Sequence, residues 1–192
     1  MRVTLIGLVG LVALSWLLPA LASAVGFQVS WSTPSSTTAP NSTKAFAQDK
    51  PTKGSCANDG VTLVVDPGAD SGKAATAYCA LNFSGTGWQL FAQANVSVEG
   101  TQQYPGGFVC RINGYPTSTM QDCAETPTTK QGTWVYFNAQ YIPKHKSTWR
   151  FSMQGAATRR PSCGSVDGWV FVRGGNSAVR PRIAPTPFDC QR

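Results

Sequence analysis

The sequence predicts an α+β domain in which one helix packs on a small mixed β-sheet and disulfides staple the fold. Several short segments are rich in aromatic and β-branched residues, and Gly, Pro or Asn bounds each of them. A single stretch, Thr86 to Ala94, has the apolar spacing of a helix. The chain also contains 6 cysteines, an even set that follows a hydrophobic N-terminus. Together these observations favour a sheet that buries one face beneath a helix.

The N-terminus has the features of an export signal. An apolar run from Val3 to Leu18 follows one basic residue, Pro19 interrupts it, and Ala22-Ser23-Ala24 supplies a small-x-small cleavage site. The run is shorter than the roughly 20 apolar residues that a membrane span needs. We therefore expect residues 1–24 to be a signal peptide, with no membrane span once it is removed. An uncleaved N-terminal anchor is the alternative.

The next segment, residues 25–54, is rich in Ser, Thr and Pro and lacks the apolar periodicity of a folded element. It is interpreted as a flexible linker that holds a folded domain away from a surface, or as a leader tail without a role. The binding domain is expected over residues 55–175, and residues 176–192 are expected to form a basic tail tied by a disulfide.

The elements of the domain follow in order along the chain. Val61 to Val65 predicts a strand, which the turn-forming residues Asp66-Pro67-Gly68 close. Thr86 is the expected N-cap of the helix, on which Trp88 and Phe91 share a face. Further strands are predicted at five segments, namely Val96 to Val98, Gly107 to Ile112, Thr133 to Phe137, Thr148 to Met153 and Trp169 to Val172.

Two local patterns add detail to this layout. Asn113-Gly114 predicts a tight turn after the strand that ends at Ile112. The segment Thr133 to Phe137 is large and apolar on both faces, so one face is expected to stay exposed for a ligand or partner. Any one of the other aromatic side chains is expected to belong to the core.

Signatures of catalysis are weak. His145 is the only histidine, and it lies in a charged, turn-like segment without a carboxylate beside it. The 9 acidic residues form no pair at glycosidase-like spacing, and Gly68 to Lys73 is one residue short of a phosphate-binding loop. The sequence has no Cys-x-x-Cys motif for zinc or redox chemistry. The chain is therefore predicted to be no enzyme and to bind neither a cofactor nor a metal.

The charge is basic, with a formal net of +7, and Lys and Arg are concentrated from Tyr141 onward. Such a surface suits an anionic wall polymer, lipid headgroups or an acidic partner, although a basic surface also serves solubility alone. Export argues against a nucleic acid as the partner.

Particular strings resemble a known family. GVTLVVDPG at Gly60 to Gly68, the segment Val96 to Pro116 with its GFVCRINGYP hairpin, and GSVDGWVF at Gly164 to Phe171 are similar to exported actinobacterial proteins related to the transcobalamin C-terminal domain. Trp134 to Phe137 and Trp149 to Ser152 stand where that family has aromatic strands. The resemblance implies a β-grasp-like fold and an extracellular binding role.

The resemblance also implies disulfide pairs and a ligand site. The pairs would be Cys56 with Cys79, Cys110 with Cys123 and Cys163 with Cys190, although the residues alone leave other pairings open. A small organic ligand, with a corrinoid as the leading choice, would rest on Trp134 and Tyr136, with Tyr104 or Trp169 at the rim.

The leading hypothesis is thus a secreted or cell-surface binding module without enzymatic activity. The first alternative is a secreted protease inhibitor, whose binding loop would be Tyr115 to Met120 between Cys110 and Cys123. The second alternative is an adhesive or structural protein of the cell envelope that uses the basic tail.

Overall fold

The two segments Val61–Asp66 (β2) and Val166–Val172 (β8) are buried along their whole length, and they lie side by side at the centre of the main sheet. A computed structural model describes residues 51–190. The remaining elements of this sheet are β1 (Thr52–Lys53), β3 (Thr76–Ala80), β6 (Thr133–Ala139) and β7 (Arg150–Phe151). Their order across the sheet is β1-β3-β2-β8-β6-β7.

The sheet is mixed. β2 and β8 run parallel, whereas the β1–β3, β2–β3, β6–β8 and β6–β7 pairs are antiparallel. A separate two-stranded ribbon consists of β4 (Val98–Gly100) and β5 (Val109–Ile112). With one α-helix, α1 (Gly87–Gln93), and three disulfides, the described chain has the α+β, disulfide-stapled architecture that the sequence predicts.

The helix is short and begins where the sequence predicts. The Thr86 hydroxyl accepts from the Gln89 N–H, and the Gln89 side chain accepts from the Thr86 N–H, which completes a capping box. Leu90 and Phe91 are fully buried against the sheet. The helix therefore depends on packing, since seven residues are too few to be stable alone.

Local differences from the predicted strands have simple causes. Asn113 and Gly114 both have positive φ and form the predicted tight turn, with Ile112 and Tyr115 exchanging backbone hydrogen bonds. β3 was not predicted, because its sequence TAYCA has few of the residues that mark a strand. β7 is only two residues long, although Thr148 to Met153 reads as a full strand.

The first face of the sheet carries the larger core. Alternate side chains of β2, β6 and β8 meet α1 and the β4–β5 ribbon there, and they include Leu63, Trp134, Tyr136, Trp169 and Phe171. Aromatic rings dominate this core, as expected for a small domain that must bury large side chains.

The second face is also covered, which corrects the expectation that one face of Thr133 to Phe137 stays exposed. Val135 and Phe137 are buried on this side with Val170 and Val172, and Trp149 packs against them. Trp149 lies so close to Gly168 that a Cβ on this glycine would approach the indole to 2.5 Å. The sequence pattern shows that a face is apolar, but it does not show which distant segment covers it.

The basic tail contributes to this cover. Ile183 packs on the second face with Val64 and Val166, and its carbonyl oxygen accepts from Trp149 Nε1 at 3.0 Å. The Cys163–Cys190 disulfide closes the end of this segment. The tail is therefore part of the folded domain rather than an appendage of it.

The three disulfides join Cys56 to Cys79, Cys110 to Cys123 and Cys163 to Cys190, the same pairs that the family resemblance implies. The predicted signal peptide at residues 1–24, and most of the linker predicted at 25–54, lie outside the described residues. Strand β1 falls inside that linker range, so the folded part begins before residue 55. Among residues 51–190, no helix is long and apolar enough to cross a membrane.

Candidate functional site

A groove opens along the outer edge of β6. On its inner side β6 pairs with β8 from Thr133 to Ala139, but on its outer side β7 pairs only with Phe137 and Asn138. Beyond the end of β7, the edge from Thr133 to Tyr136 borders a cavity of about 460 Å³. This space is hereafter called the β6 groove.

The walls of the β6 groove are mainly apolar. Trp134, Tyr136 and Trp169 contribute from the sheet, and Phe151 and Met153 contribute from β7 and the loop after it. Further lining residues come from the start of β5, from the loop between β5 and β6 and from the loop after β7, and they include Phe108, Val109, Pro127 and Ala156. None of the described residues that line the groove carries a charge. A concave, apolar and aromatic surface of this kind is typical of a ligand site.

The aromatic wall is held rigidly by ring contacts. The rings of Tyr136 and Trp169 are stacked, with centroids 4.2 Å apart and an interplanar angle of 7°. Trp134 meets Phe171 edge to face at 5.6 Å, and Trp134 Nε1 donates to the Tyr115 carbonyl oxygen at 3.3 Å. A ligand would therefore meet a surface that is already formed.

Two buried polar atoms in residues that line the groove lack a partner. Thr133 Oγ1 and Trp169 Nε1 are the buried side-chain polar atoms, within residues 51–190, that make no hydrogen bond. An unmade hydrogen bond of a buried group costs about 1–3 kcal/mol, so buried polar atoms without a partner are rare in folded proteins. Both residues line the β6 groove. The two side chains lie on opposite faces of the sheet, because alternation along β6 places Thr133 on the second face with Val135, whereas Trp169 belongs to the core of the first face.

A buried ionic cluster lies behind the aromatic wall. The Tyr136 hydroxyl donates to Asp167 Oδ2, while Arg159 Nη2 donates to Asp167 Oδ1 at 2.9 Å. Burial, followed by the charge of Asp167, raises the pKa of Tyr136. Complete burial raises the pKa of the Asp167 carboxyl, and the ion pair with Arg159 opposes that shift.

The same cluster positions the helix. Gly87, the first residue of α1, lies so close to the Tyr136 hydroxyl that a Cβ there would come within 2.5 Å of it. The Gly87 N–H donates to the Arg159 carbonyl oxygen at 2.8 Å. The members of the cluster satisfy one another, so its chemistry is structural: it fixes the Tyr136 ring that lines the groove.

The sequence-predicted ligand residues separate into two groups. Trp134, Tyr136 and Trp169 lie together in the wall of the β6 groove, although each is more than nine-tenths buried and presents only part of its ring. Tyr104 is 52% exposed in the loop before β5 and is not part of the groove lining. The four residues therefore do not form one surface.

Phe151 and Met153 are groove residues that the sequence did not indicate. Their side chains are 54% and 90% exposed, which is unusual for large apolar residues. The only sequence signal was a predicted strand over Thr148 to Met153, and strand alternation alone would have placed both side chains on a buried face.

The loop proposed for protease inhibition, Tyr115 to Met120, is held from beneath by Arg111. The buried Arg111 donates from Nε to the Pro116 carbonyl oxygen at 2.7 Å and from Nη2 to the Gln121 carbonyl oxygen at 2.5 Å. The loop itself is a compact turn, since the N–H groups of Met120 and Gln121 both donate to the Thr117 carbonyl oxygen.

Two further places in the described chain have less chemical definition. A polar depression of about 900 Å³ lies among loop residues 118–131, without an aromatic wall. Asp59 lies beside the sulfurs of Cys163 and Cys190, but these sulfurs form a disulfide and are not the thiolates that a metal binds.

No protein-family profile, curated protein or solved structure matches the chain. The similarity to the transcobalamin C-terminal domain, and the β-grasp-like fold that it implies, thus stay predictions from the sequence motifs.

Proposed function

We propose that this protein is a secreted or cell-surface binding module without enzymatic activity, and that its ligand occupies the β6 groove. The observation that carries the proposal is the rigid aromatic wall of Trp134, Tyr136 and Trp169 in a groove that no charged residue lines. Its volume of about 460 Å³ is within the range of small-molecule sites.

The extracellular location rests on the disulfides and on the signal-like N-terminus. Three disulfides among the described residues leave no free cysteine there, and such bonds persist in oxidising compartments. The apolar run from Val3 to Leu18 supplies the export signal that such a location requires.

A corrinoid is the first ligand to test, because the family resemblance suggests it and because a planar macrocycle suits an aromatic wall. Titration of intrinsic tryptophan fluorescence with cobalamin and cobinamide is the direct experiment. Trp134 and Trp169 line the groove, so a bound corrinoid should quench their emission.

The matched variants are Met153→Asp and Met120→Asp. Both methionines are exposed, but only Met153 lines the β6 groove. We expect Met153→Asp to weaken binding by about tenfold or more, since a charge replaces an apolar contact, and Met120→Asp to bind as the wild type does. Quenching that is equal in the two variants would place the ligand elsewhere, and no quenching by any corrinoid would remove this ligand.

Protease inhibition is the second candidate, and one observation favours it. Arg111 and the Cys110–Cys123 disulfide together hold the loop that carries the exposed Met120. Inhibition assays against secreted serine proteases test this candidate with the same two variants, whose expected effects are now exchanged. In this case Met120→Asp should abolish inhibition and Met153→Asp should leave it intact.

A further inference from the structure

We infer that the β6 groove takes an extended peptide segment of a partner protein, acidic at its ends, which adds to β6 as a further strand. The inference rests on the proposed function in one respect, namely that the β6 groove is the binding site. It differs in the kind of ligand, because a small molecule would use the aromatic wall and an added strand would use the backbone of β6.

The backbone of β6 is available on the correct side. Asn138 pairs with Arg150 of β7, and the Ser152 N–H donates to the Tyr136 carbonyl oxygen at 2.9 Å, so even-numbered residues of β6 direct their backbone groups outward. Alternation then directs the N–H and C=O of Trp134 to the same outer edge. Among the described strands, none pairs with β6 at this position.

An unpaired edge beside a groove is the arrangement that strand addition requires. Main-chain hydrogen bonds to the edge supply affinity, and pockets for alternate side chains supply selectivity. The Tyr136 carbonyl oxygen already accepts from Ser152, so the free edge runs from Thr133 to Val135 and is about 10 Å long at about 3.3 Å per residue, which a short extended peptide can cover. Natural proteins protect such edges with charges, proline or a covering loop, and uncharged residues line this one.

The side chains around the edge favour an apolar occupant at the centre. Phe151 and Met153 are two of the few large apolar side chains that are exposed in residues 51–190, and both line the groove. An added strand would cover them, and it would also place alternate side chains toward Tyr136 and toward Phe151. We therefore expect apolar or β-branched residues at successive central positions of the peptide.

The charges around the groove favour acidic ends. Arg150 is exposed and pairs with Asn138, beyond the end of the open edge. At the other end Arg173 follows β8 directly, with its Nε 3.2 Å from the position of a Cβ on Gly132, and Lys130 lies in the preceding loop; both are exposed. A segment with Asp or Glu at both ends would thus meet cations at each end, and its binding should weaken with salt.

The test uses the full exported chain and a short peptide in which valine alternates with threonine and aspartate stands at both ends. Two derivatives carry N-methyl groups at every second backbone nitrogen. One derivative is methylated at the odd-numbered residues and the other at the even-numbered residues, and these two sets are called the two phases. In an added antiparallel strand only one phase directs its N–H groups to β6, while the other phase faces solvent. Isothermal titration should show tight binding for the parent, and a loss of about tenfold or more for one derivative only.

Two protein variants complete the design of the experiment. Met153→Asp should weaken peptide binding, and Met120→Asp should leave it unchanged. Equal affinity for the two N-methylated peptides, whether strong or weak, would overturn strand addition. Absence of peptide binding together with corrinoid quenching that Met153→Asp removes would overturn this inference alone, whereas failure of both ligands would also overturn the proposed function.

Discussion

Arg182 Nη2 lies 2.6 Å from Asp66 Oδ1 and joins residues that are 116 positions apart in the chain. The Arg182 N–H also donates to Asp66 Oδ2 at 2.7 Å, and its Nη2 donates to the Lys73 carbonyl oxygen at 2.8 Å. Asp66 is fully buried at the end of β2. One arginine therefore fixes the C-terminal segment to the second face of the sheet.

Replacement of Arg182 should destabilise the domain strongly. Arg182→Ala leaves the buried Asp66 carboxylate without its cation, and we expect a loss of about 3 kcal/mol in the free energy of unfolding. Urea denaturation measures this loss. Arg160→Ala removes an equally basic but exposed side chain, and it should change stability by less than about 0.5 kcal/mol. A similar effect for the two variants would show that Asp66 does not need Arg182.

The same pair should make stability depend on pH. Burial raises the pKa of Asp66, but hydrogen bonds from Arg182 and Gly68 outweigh burial, and the pKa is lowered overall. The stabilising contribution is thus complete above the unfolded pKa of about 3.9 and is lost as the pH falls through the folded pKa. The stability deficit of Asp66→Asn relative to wild type should therefore shrink below about pH 4. A deficit that stays constant down to acidic pH would contradict this assignment.

Removal of the Tyr136 hydroxyl should lower the stability of the domain without changing its affinity for the ligand. Tyr136→Phe takes one donor from the buried Asp167 carboxylate, and we expect it to cost about 1–3 kcal/mol. The ring stack with Trp169 does not need the hydroxyl, so ligand affinity should change little. Thermal unfolding and ligand titration give the two readouts. Tyr141→Phe is the control, because Tyr141 is exposed and should tolerate the change.

The Cys163–Cys190 disulfide should stabilise the whole domain and hold the C-terminal segment on the sheet. Replacing Cys163 and Cys190 together by alanine removes a disulfide that closes a loop of 27 residues. On the chain-entropy model, this should lower the free energy of unfolding by about 3–4 kcal/mol. It should also expose the C-terminal segment to limited proteolysis before the sheet unfolds. The same double replacement at Cys110 and Cys123, which opens 13 residues, should cost somewhat less and leave the C-terminal segment resistant. Equal proteolysis of the two variants would contradict the proposed role of the C-terminal segment.

The sequence predicts local structure here better than long-range structure. The N-cap at Thr86 and the turn at Asn113-Gly114 depend on neighbouring residues, and both occur as predicted. The cover on the second sheet face depends on Trp149, Ile183 and Arg182, which lie outside the strands that they contact and reach β2 from more than 80 positions away in the chain. No local pattern encodes such a contact, so the expectation of an exposed face was wrong.

In the candidate site, too, the sequence indicates individual residues better than the way in which they are brought together. Trp134, Tyr136 and Trp169 could be singled out because they are large and aromatic on predicted strands, and they do meet in one wall. The groove itself exists because β7 stops after two residues and leaves half of β6 unpaired. Strand propensity over Thr148 to Met153 favours a longer strand, so the sequence gives no indication of this opening.

The position of β8 has a consequence for how this protein is made. This strand joins β2 to β6, yet it begins only at Val166, so the two halves of the sheet have no common partner until most of the chain has been synthesised. The segment that covers the second face comes later still. The main sheet therefore cannot be completed before the chain has been made as far as Val172, and β2 and β6 stay without a strand between them until then.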